Sequence, residues 1–100
     1  MISLRPEDLP GREAYMLTVS TIVPRPIAWV STVNAEGALN LAPFSFFNAV
    51  SGKPPTVMFS VGQRDGMAKD TLRNVDEVGE FVVNLVNEAH ADAMNLTAGN

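Results

Sequence analysis

Residues 40–54 read Asn-Leu-Ala-Pro-Phe-Ser-Phe-Phe-Asn-Ala-Val-Ser-Gly-Lys-Pro. Three phenylalanines, two asparagines, two serines and two prolines share this stretch, so it is neither a good helix nor an uninterrupted strand. Its phenyl rings can be anchored in a core while backbone amides and small hydroxyls face something flat. We therefore interpret the stretch as the wall of a binding site.

A hairpin is predicted immediately before this wall. Residues 27–33 alternate between two partly apolar faces, as a buried strand does. Residues 34–37, Asn-Ala-Glu-Gly, have the composition of a turn, and residues 38–42 return as a second strand. Because proline cannot donate a hydrogen bond to a neighbouring strand, Pro43 is expected to end regular pairing.

Other elements are predicted on either side of the hairpin. A short helix is expected over residues 12–22, ended by Pro24 and Pro26, since proline disfavours helix in the residue before it. The remaining predictions are a strand over 56–61, a loop over 62–68, a helix over 70–78 with Leu72, Val75 and Val78 on one side and Gly79 as its cap, a strand over 81–86, and a last helix capped by Asn87.

Strands joined by hairpins, with short helices between them, indicate a mainly β fold of the small antiparallel barrel type. Four predicted strands cannot close a barrel, and an open wall would expose unpaired edges. One hundred residues suffice for one domain with a core. We expect residues 1–100 to form a single domain that is the N-terminal, incomplete part of a barrel in a longer polypeptide.

Composition argues against several classes of partner. The formal net charge of -4 gives no electrostatic reason to bind nucleic acid or an anionic membrane. The absence of cysteine excludes disulfides and thiolate metal sites, and the single histidine, His90, excludes a multi-histidine cluster. No apolar run approaches the roughly 20 residues of a spanning helix. The expectation is a soluble, cytoplasmic protein without a metal site.

The common hydrolytic constellations are also weak. Only His90 could serve as the base of a serine triad, and no Gly-x-Ser-x-Gly elbow is present. The carboxylates fall in predicted helices and loops, where solvated faces are normal. No catalytic residue is assigned.

Two features each leave two readings open. The helix start at residues 69–71, Lys-Asp-Thr, can hold a phosphate through free N–H groups and the ammonium, or Asp70 or Thr71 can simply cap the helix. The phenylalanines can be plain core residues, but Asn40, Ser45 and Asn48 between them need hydrogen-bond partners. A planar heteroaromatic ligand would supply such partners, and so would backbone groups.

Four blocks of sequence carry a resemblance to a known family. Residues 24–32, 40–48, 53–55 and 69–74, in this order and approximate spacing, closely resemble the flavin reductase-like, FMN-binding split-barrel proteins, in the branch that includes flavoredoxin-like proteins. Together the blocks lie within residues 24–86.

The resemblance implies a six-stranded split β-barrel, usually a homodimer, with FMN held non-covalently near the subunit interface. Family members commonly reduce flavin with NADH or NADPH, and some supply it to a partner oxygenase. The cofactor itself performs hydride transfer, so the protein needs no acid, base or nucleophile. Members continue past the position of Asn100, and that part supplies further strands.

By motif position, the resemblance also implies a set of flavin-binding residues. Its members are Arg25, Ser31 and Thr32 on or beside the first strand, Ala42, Pro43, Phe44, Ser45, Phe46, Phe47 and Asn48 along the ring and ribityl chain, and Ser60, Gly62, Lys69 and Thr71 toward the phosphate. Two other functions stay open, an FMN-binding or electron-relay module without nicotinamide turnover, and an incomplete barrel that binds nothing alone.

Overall fold

The computed structural model describes residues 1–64 and 67–98 of the chain. In chain order, its elements are a 3-10 turn at Pro6–Asp8, helix α1 (Gly11–Thr21), strands β1 (Ala28–Val33), β2 (Leu39–Phe44), β3 (Phe47–Gly52), β4 (Pro55–Phe59), β5 (Gln63–Arg64) and β6 (Met67–Ala68), helix α2 (Asp70–Val78), strand β7 (Val82–Asn84), a 3-10 turn at Glu88–His90 and helix α3 (Ala91–Thr97).

The core lies on one face of a three-stranded antiparallel sheet with strand order β2–β1–β7. The side chains of β1 alternate, so that Ala28, Val30 and Thr32 are buried. In the register of the sheet, Ala28 lies opposite Phe44 of β2, and Phe44 is buried as well. Ala42, Phe47, Phe59, Val61 and Val83 pack around this cluster.

The second face of the sheet is covered by α3. Trp29 points to this face, and its indole Nε1 donates a 3.0 Å hydrogen bond to the hydroxyl of Thr97. The prediction that both faces of β1 are partly covered is therefore confirmed.

The prediction that Pro43 ends pairing was wrong. Pro43 lies within β2, opposite Trp29, and pairing continues to Phe44. In this sheet β2 is an edge strand that pairs only with β1. The N–H that proline lacks is therefore not needed for a bond to a second strand.

Residues 40–54 form parts of two strands rather than one irregular wall. Ser45 and Phe46 make a corner after β2, and β3 then pairs with β4, with Phe47 opposite Phe59. The register shifts between Ala49 and Ser51, which marks a bulge. The strand β3 was missed in the sequence, although the expected break in the stretch is present at the corner.

Several local signals in the sequence were interpreted correctly. Helix α2 spans the predicted residues 70–78, and Gly79 ends it with a left-handed φ of 83°. The turn at 34–37 is held by the Asn34 side chain, whose oxygen accepts from the N–H groups of Glu36 and Ala38. Asn87, predicted to cap the last helix, instead caps the 3-10 turn before α3, whose own N-cap is His90.

The predicted loop over 62–68 contains the short β5–β6 pair, and its residues 65 and 66 lie outside the described residues. None of the helices in the described part of the chain has the length and apolar character needed to cross a membrane.

The β3–β4 hairpin forms a sheet of its own and is largely exposed, with Val50 at 60% and Met58 at 49% of full exposure. The radius of gyration is 15.7 Å, against about 13 Å for a compact domain of this length. Within the described residues the sheets are small and not closed, which fits part of a barrel wall.

Truncating the centre of the core should lower stability far more than truncating the hairpin. Val30→Ala removes two methyl groups at a fully buried site and should cost about 2–3 kcal/mol in the free energy of unfolding. Val50→Ala, the same change on the exposed hairpin, should stay within about 0.5 kcal/mol. Urea denaturation measures both, and equal losses would contradict the assigned core.

Candidate functional site

A groove runs between the end of α1 and the corner at Ser45 and Phe46. Its volume is about 440 Å³, within the usual range of ligand pockets, which is roughly 300–1,000 Å³. Five of the residues predicted to bind flavin line it, namely Arg25, Ser45, Phe46, Phe47 and Asn48. The structure therefore gathers the corner and Arg25 around one concave surface.

Arg25 closes one end of the groove by joining α1 to the corner. Its Nη1 donates hydrogen bonds to the carbonyl oxygens of Val19, at 2.7 Å, and Ile22, at 2.9 Å, at the carboxyl end of α1. Its guanidinium lies 5.7 Å from the centre of the Phe46 ring, in cation–π range. Arg25 lies in the segment between α1 and β1, and its side chain joins the end of the helix to the corner.

Polar atoms at the groove remain without protein partners. The Nε of Arg25 is buried and, among the described residues, finds no hydrogen-bond partner. The Asn48 side-chain oxygen accepts from the Ala49 N–H, which leaves its amide nitrogen unpaired within residues 1–64 and 67–98, like the hydroxyl of Ser45. Since buried polar groups are normally paired, the Arg25 Nε fits a ligand that accepts a hydrogen bond there, whereas Asn48 is exposed and Ser45 is half-buried.

The corner is tied to the end of β4. The N–H of Ser60 donates a 2.9 Å hydrogen bond to the carbonyl of Phe46. Gly62 follows two residues later, and a Cβ placed there would meet nothing within 4 Å. Ser60 and Gly62 therefore lie near the corner, on an open side.

The start of α2 lies near Phe44. The ammonium of Lys69 is 5.8 Å from the centre of the Phe44 ring, which also packs on Phe59 at 5.2 Å between centres. Lys69 occupies the N-cap position and its side chain makes no capping bond. The half-buried ammonium is thereby held beside the first turn of the helix.

The alternative that Asp70 or Thr71 caps α2 is not what the structure has. Asp70 pairs instead with Arg73 at the surface. The first intrahelical bond runs from the Arg73 N–H to the carbonyl of Lys69, so the three preceding N–H groups have no partner within the helix. An uncapped helix start beside a lysine is suited to an anion.

Two hydrogen bonds fasten α2 to the core face of the sheet. Asn40 donates through Nδ2 to the Thr71 hydroxyl at 2.9 Å, and Asn74 donates through Nδ2 to the Thr32 hydroxyl at 3.0 Å. Thr71 is 1% exposed and Thr32 4%. The hydroxyls of both predicted site residues are thus engaged inside the protein.

The side of α2 that packs on the sheet is polar and is not the predicted apolar side. Thr71 and Asn74 are its buried residues, whereas Leu72 and Val75 line a separate apolar cavity of about 290 Å³. A helix that turns a polar pair toward a sheet is not recognisable from apolar spacing alone.

The remaining predicted residues divide between the two faces of the sheet. Ala42 and Phe44 share the core face with Thr32, because residues directly opposite in an antiparallel pair point the same way. Ser31 and Pro43 point to the other face, where the Ser31 hydroxyl accepts from the Asn84 amide at 3.2 Å. The side chains of Ser31 and Thr32 therefore lie on opposite faces of the sheet.

Sequence reasoning missed residues on both sides of the site. Thr18 of α1 and Ile22, directly after the helix, line the groove, but α1 was not connected with the corner. Asn74 stood in a resembling block without a role, although its spacing of three from Thr71 places both on one side of a helix.

The chain belongs to the family described as flavin reductase like domain, whose sequence profile matches residues 19–100. The resemblance found in the sequence is confirmed, and with it the mainly β, partial split-barrel fold. The family is one of flavin-related oxidoreductases. The chain spans about half the length of the curated relatives it matches.

Three solved structures resemble the chain over most or all of its length. Nitrilotriacetate monooxygenase component B from Bacillus cereus is 44% identical with a TM-score of 0.93, over 100% of this chain and 51% of that one. The 2-nitrobenzoate 2-nitroreductase NbaA of Pseudomonas fluorescens is 36% identical with a TM-score of 0.86, over 99% and 48%. Flavoredoxin of Desulfovibrio vulgaris (Miyazaki F), 19% identical, has a TM-score of 0.69 over 79% and 41%, and shows the fold alone.

Removing the guanidinium of Arg25 should loosen α1 from the corner. Arg25→Met keeps much of the aliphatic stem but loses two charged hydrogen bonds, which should cost about 1–3 kcal/mol in unfolding free energy. Arg73→Met, which removes an exposed ion pair, should cost less than about 1 kcal/mol. Urea denaturation and limited proteolysis of α1 compare the two, and a larger loss for Arg73→Met would refute the assignment.

Proposed function

We propose that this chain forms part of a non-covalent FMN site and that the whole protein reduces the bound flavin with NADH or NADPH. The observation that carries the proposal is the groove at the corner, whose lining includes the buried Arg25 Nε without a partner among the described residues. The start of α2, uncapped and beside Lys69, offers a second surface that suits an anion. A flavin nucleotide has a planar ring system at one end and a phosphate at the other.

The phosphate end would be held at α2. A phosphate dianion there would accept from the free N–H groups of residues 70–72 and pair with the Lys69 ammonium. Thr71 would contribute its backbone N–H, since its hydroxyl already accepts from Asn40. Ser60 and Gly62 would border the same end, with Gly62 leaving its backbone accessible.

The ring end would be held at the corner. Ser45 and Asn48 would donate or accept with the side-chain atoms that have no protein partner in the described residues, while Phe46 and Phe47 shape the wall. Arg25, fixed by two carbonyls, would place a positive charge beside the groove. Phe44, Ala42 and Thr32 would support the wall from the core face of the sheet. Ser31 and Pro43, on the opposite face, would affect the site only indirectly, through the position of β1 and β2.

Bound flavin would supply the electron-accepting chemistry, taking a hydride from the nicotinamide. The chain's own residues would bind the flavin, align its ring with the nicotinamide and shield both from water. Alignment matters because holding two rings in register removes much of the entropic barrier to transfer. In this proposal no side chain of the chain has to act as acid, base or nucleophile.

The same proposal includes assembly. The exposed apolar residues of the β3–β4 hairpin support burial against more of a longer chain or against a second copy in a homodimer. The likeness to component B of a monooxygenase supports delivery of reduced flavin to a partner oxygenase. An FMN-binding electron relay without nicotinamide turnover is the alternative.

The two lysines of the chain provide a matched test of the phosphate end. Lys69→Met should raise the dissociation constant for FMN about 5- to 150-fold, the equivalent of about 1–3 kcal/mol for lost charge-assisted bonds. Riboflavin, which lacks the phosphate, should bind as before, and Lys53→Met, in an exposed turn, should change neither ligand. Flavin fluorescence titration gives all the constants, and equal losses of FMN and riboflavin would contradict the phosphate assignment.

The reductase reading predicts a direct spectroscopic result. When the FMN-loaded protein is mixed anaerobically with NADH or NADPH, the visible absorbance of the flavin should bleach with at least one of them, since the rings are held for transfer. Binding of FMN without bleaching by either nucleotide would favour the electron relay, and a protein that never binds FMN would reject both.

A further inference from the structure

Four side chains form two hydrogen-bonded pairs between α2 and the sheet, and we call them the Asn/Thr quartet. They are Thr32 of β1, Asn40 of β2, and Thr71 and Asn74 of α2. Thr32 and Asn40 lie opposite each other in the sheet, and Thr71 and Asn74 are three residues apart on the helix. Each strand residue bonds one helix residue, with the donor on the sheet in one bond and on the helix in the other.

The quartet lies in the buried interface between α2 and the sheet, where apolar side chains are usual. Burying hydroxyls and amides gives little net stability, and apolar replacement of both partners in such a pair can be nearly neutral. Hydrogen bonds are directional, however, so two of them fix both the rotation of a helix and its position along a sheet. Apolar contacts alone tolerate sliding, and Leu72 and Val75 of α2 border a cavity rather than this face.

The fixed part of α2 is its beginning. Thr71 is the second residue of the helix and lies two residues after Lys69. Any rotation of α2 would move the free N–H groups of its first turn together with the Lys69 ammonium beside Phe44. The quartet therefore sets where an anion at this helix start would be held.

We infer that the Asn/Thr quartet is a positioning device for the flavin phosphate, so that Asn40, Asn74 and the buried hydroxyls of Thr32 and Thr71 control phosphate affinity without touching the phosphate. This inference rests on the proposed FMN site. It assigns roles to Asn40 and Asn74, and it makes the Thr71 side chain a positioning group.

The test compares FMN with riboflavin in variants of the full chain. Thr71→Val keeps the shape of the side chain but removes the acceptor for Asn40. It should weaken FMN binding roughly tenfold, about the effect of one lost hydrogen bond, while riboflavin changes less than about threefold. Thr71→Ser, which restores the hydroxyl, should bring FMN affinity back toward that of the wild type.

Thr97→Val is the matched control. It removes another threonine acceptor of a side-chain bond to the same sheet, the one from Trp29 on the opposite face. It should lower the unfolding midpoint in urea about as much as Thr71→Val, yet leave the ratio of the FMN and riboflavin dissociation constants unchanged. A merely structural role for the quartet would make the two variants behave alike.

The outcomes separate this inference from the proposed function. If wild-type protein binds FMN and Thr71→Val leaves the FMN-to-riboflavin ratio unchanged, the inference is overturned and the site stands. If wild-type protein binds neither ligand, both fall. Should Thr71→Val not fold, Thr32→Val at the second bond gives the same comparison, with an FMN-specific loss of roughly three- to tenfold expected and no specific loss overturning the inference.

Discussion

The pairing of β1 with β2 is the constraint on which the rest of the structure depends. With Ala28 opposite Phe44 and Val30 opposite Ala42, the core residues of both strands fall on one face, and a slip of one residue would exchange that face for the other. The same register sets Thr32 beside Asn40. These two polar side chains hydrogen-bond Asn74 and Thr71 of α2 beside the apolar core. The register also carries β2 to Phe44, whose ring joins the core to the corner and to the start of α2.

The candidate site follows from this arrangement. The corner after β2 is held by the bond from Ser60 to the Phe46 carbonyl and by Arg25, which reaches it from the end of α1. Local chain turns therefore present polar atoms to a groove, while Phe44 is buried in the core, Phe47 packs against it and Phe46 stays partly exposed at the groove. In the proposed site, the sheet and α2 would position the ring end and the phosphate end.

Much of the fold could be predicted because its signals are local. The bounds of α2 follow from its periodicity and from Gly79, and the turn after β1 follows from Asn34. The interpretation of Pro43 failed because the cost of a proline depends on how many neighbours a strand has, which one segment cannot reveal. The site was predicted as a set of segments, but the bond between Asn40 and Thr71 joins positions 31 residues apart, and their pairing appears only in the fold.

The most direct test of the account is an NMR titration that follows backbone amide shifts as FMN, and separately riboflavin, is added to ¹⁵N-labelled protein. Amides of residues 44–48 should shift with both ligands, because both carry the ring system. Amides of residues 70–72 should shift with FMN and stay in place with riboflavin. Shifts confined to other parts of the chain, or equal responses of residues 70–72 to both ligands, would contradict the account.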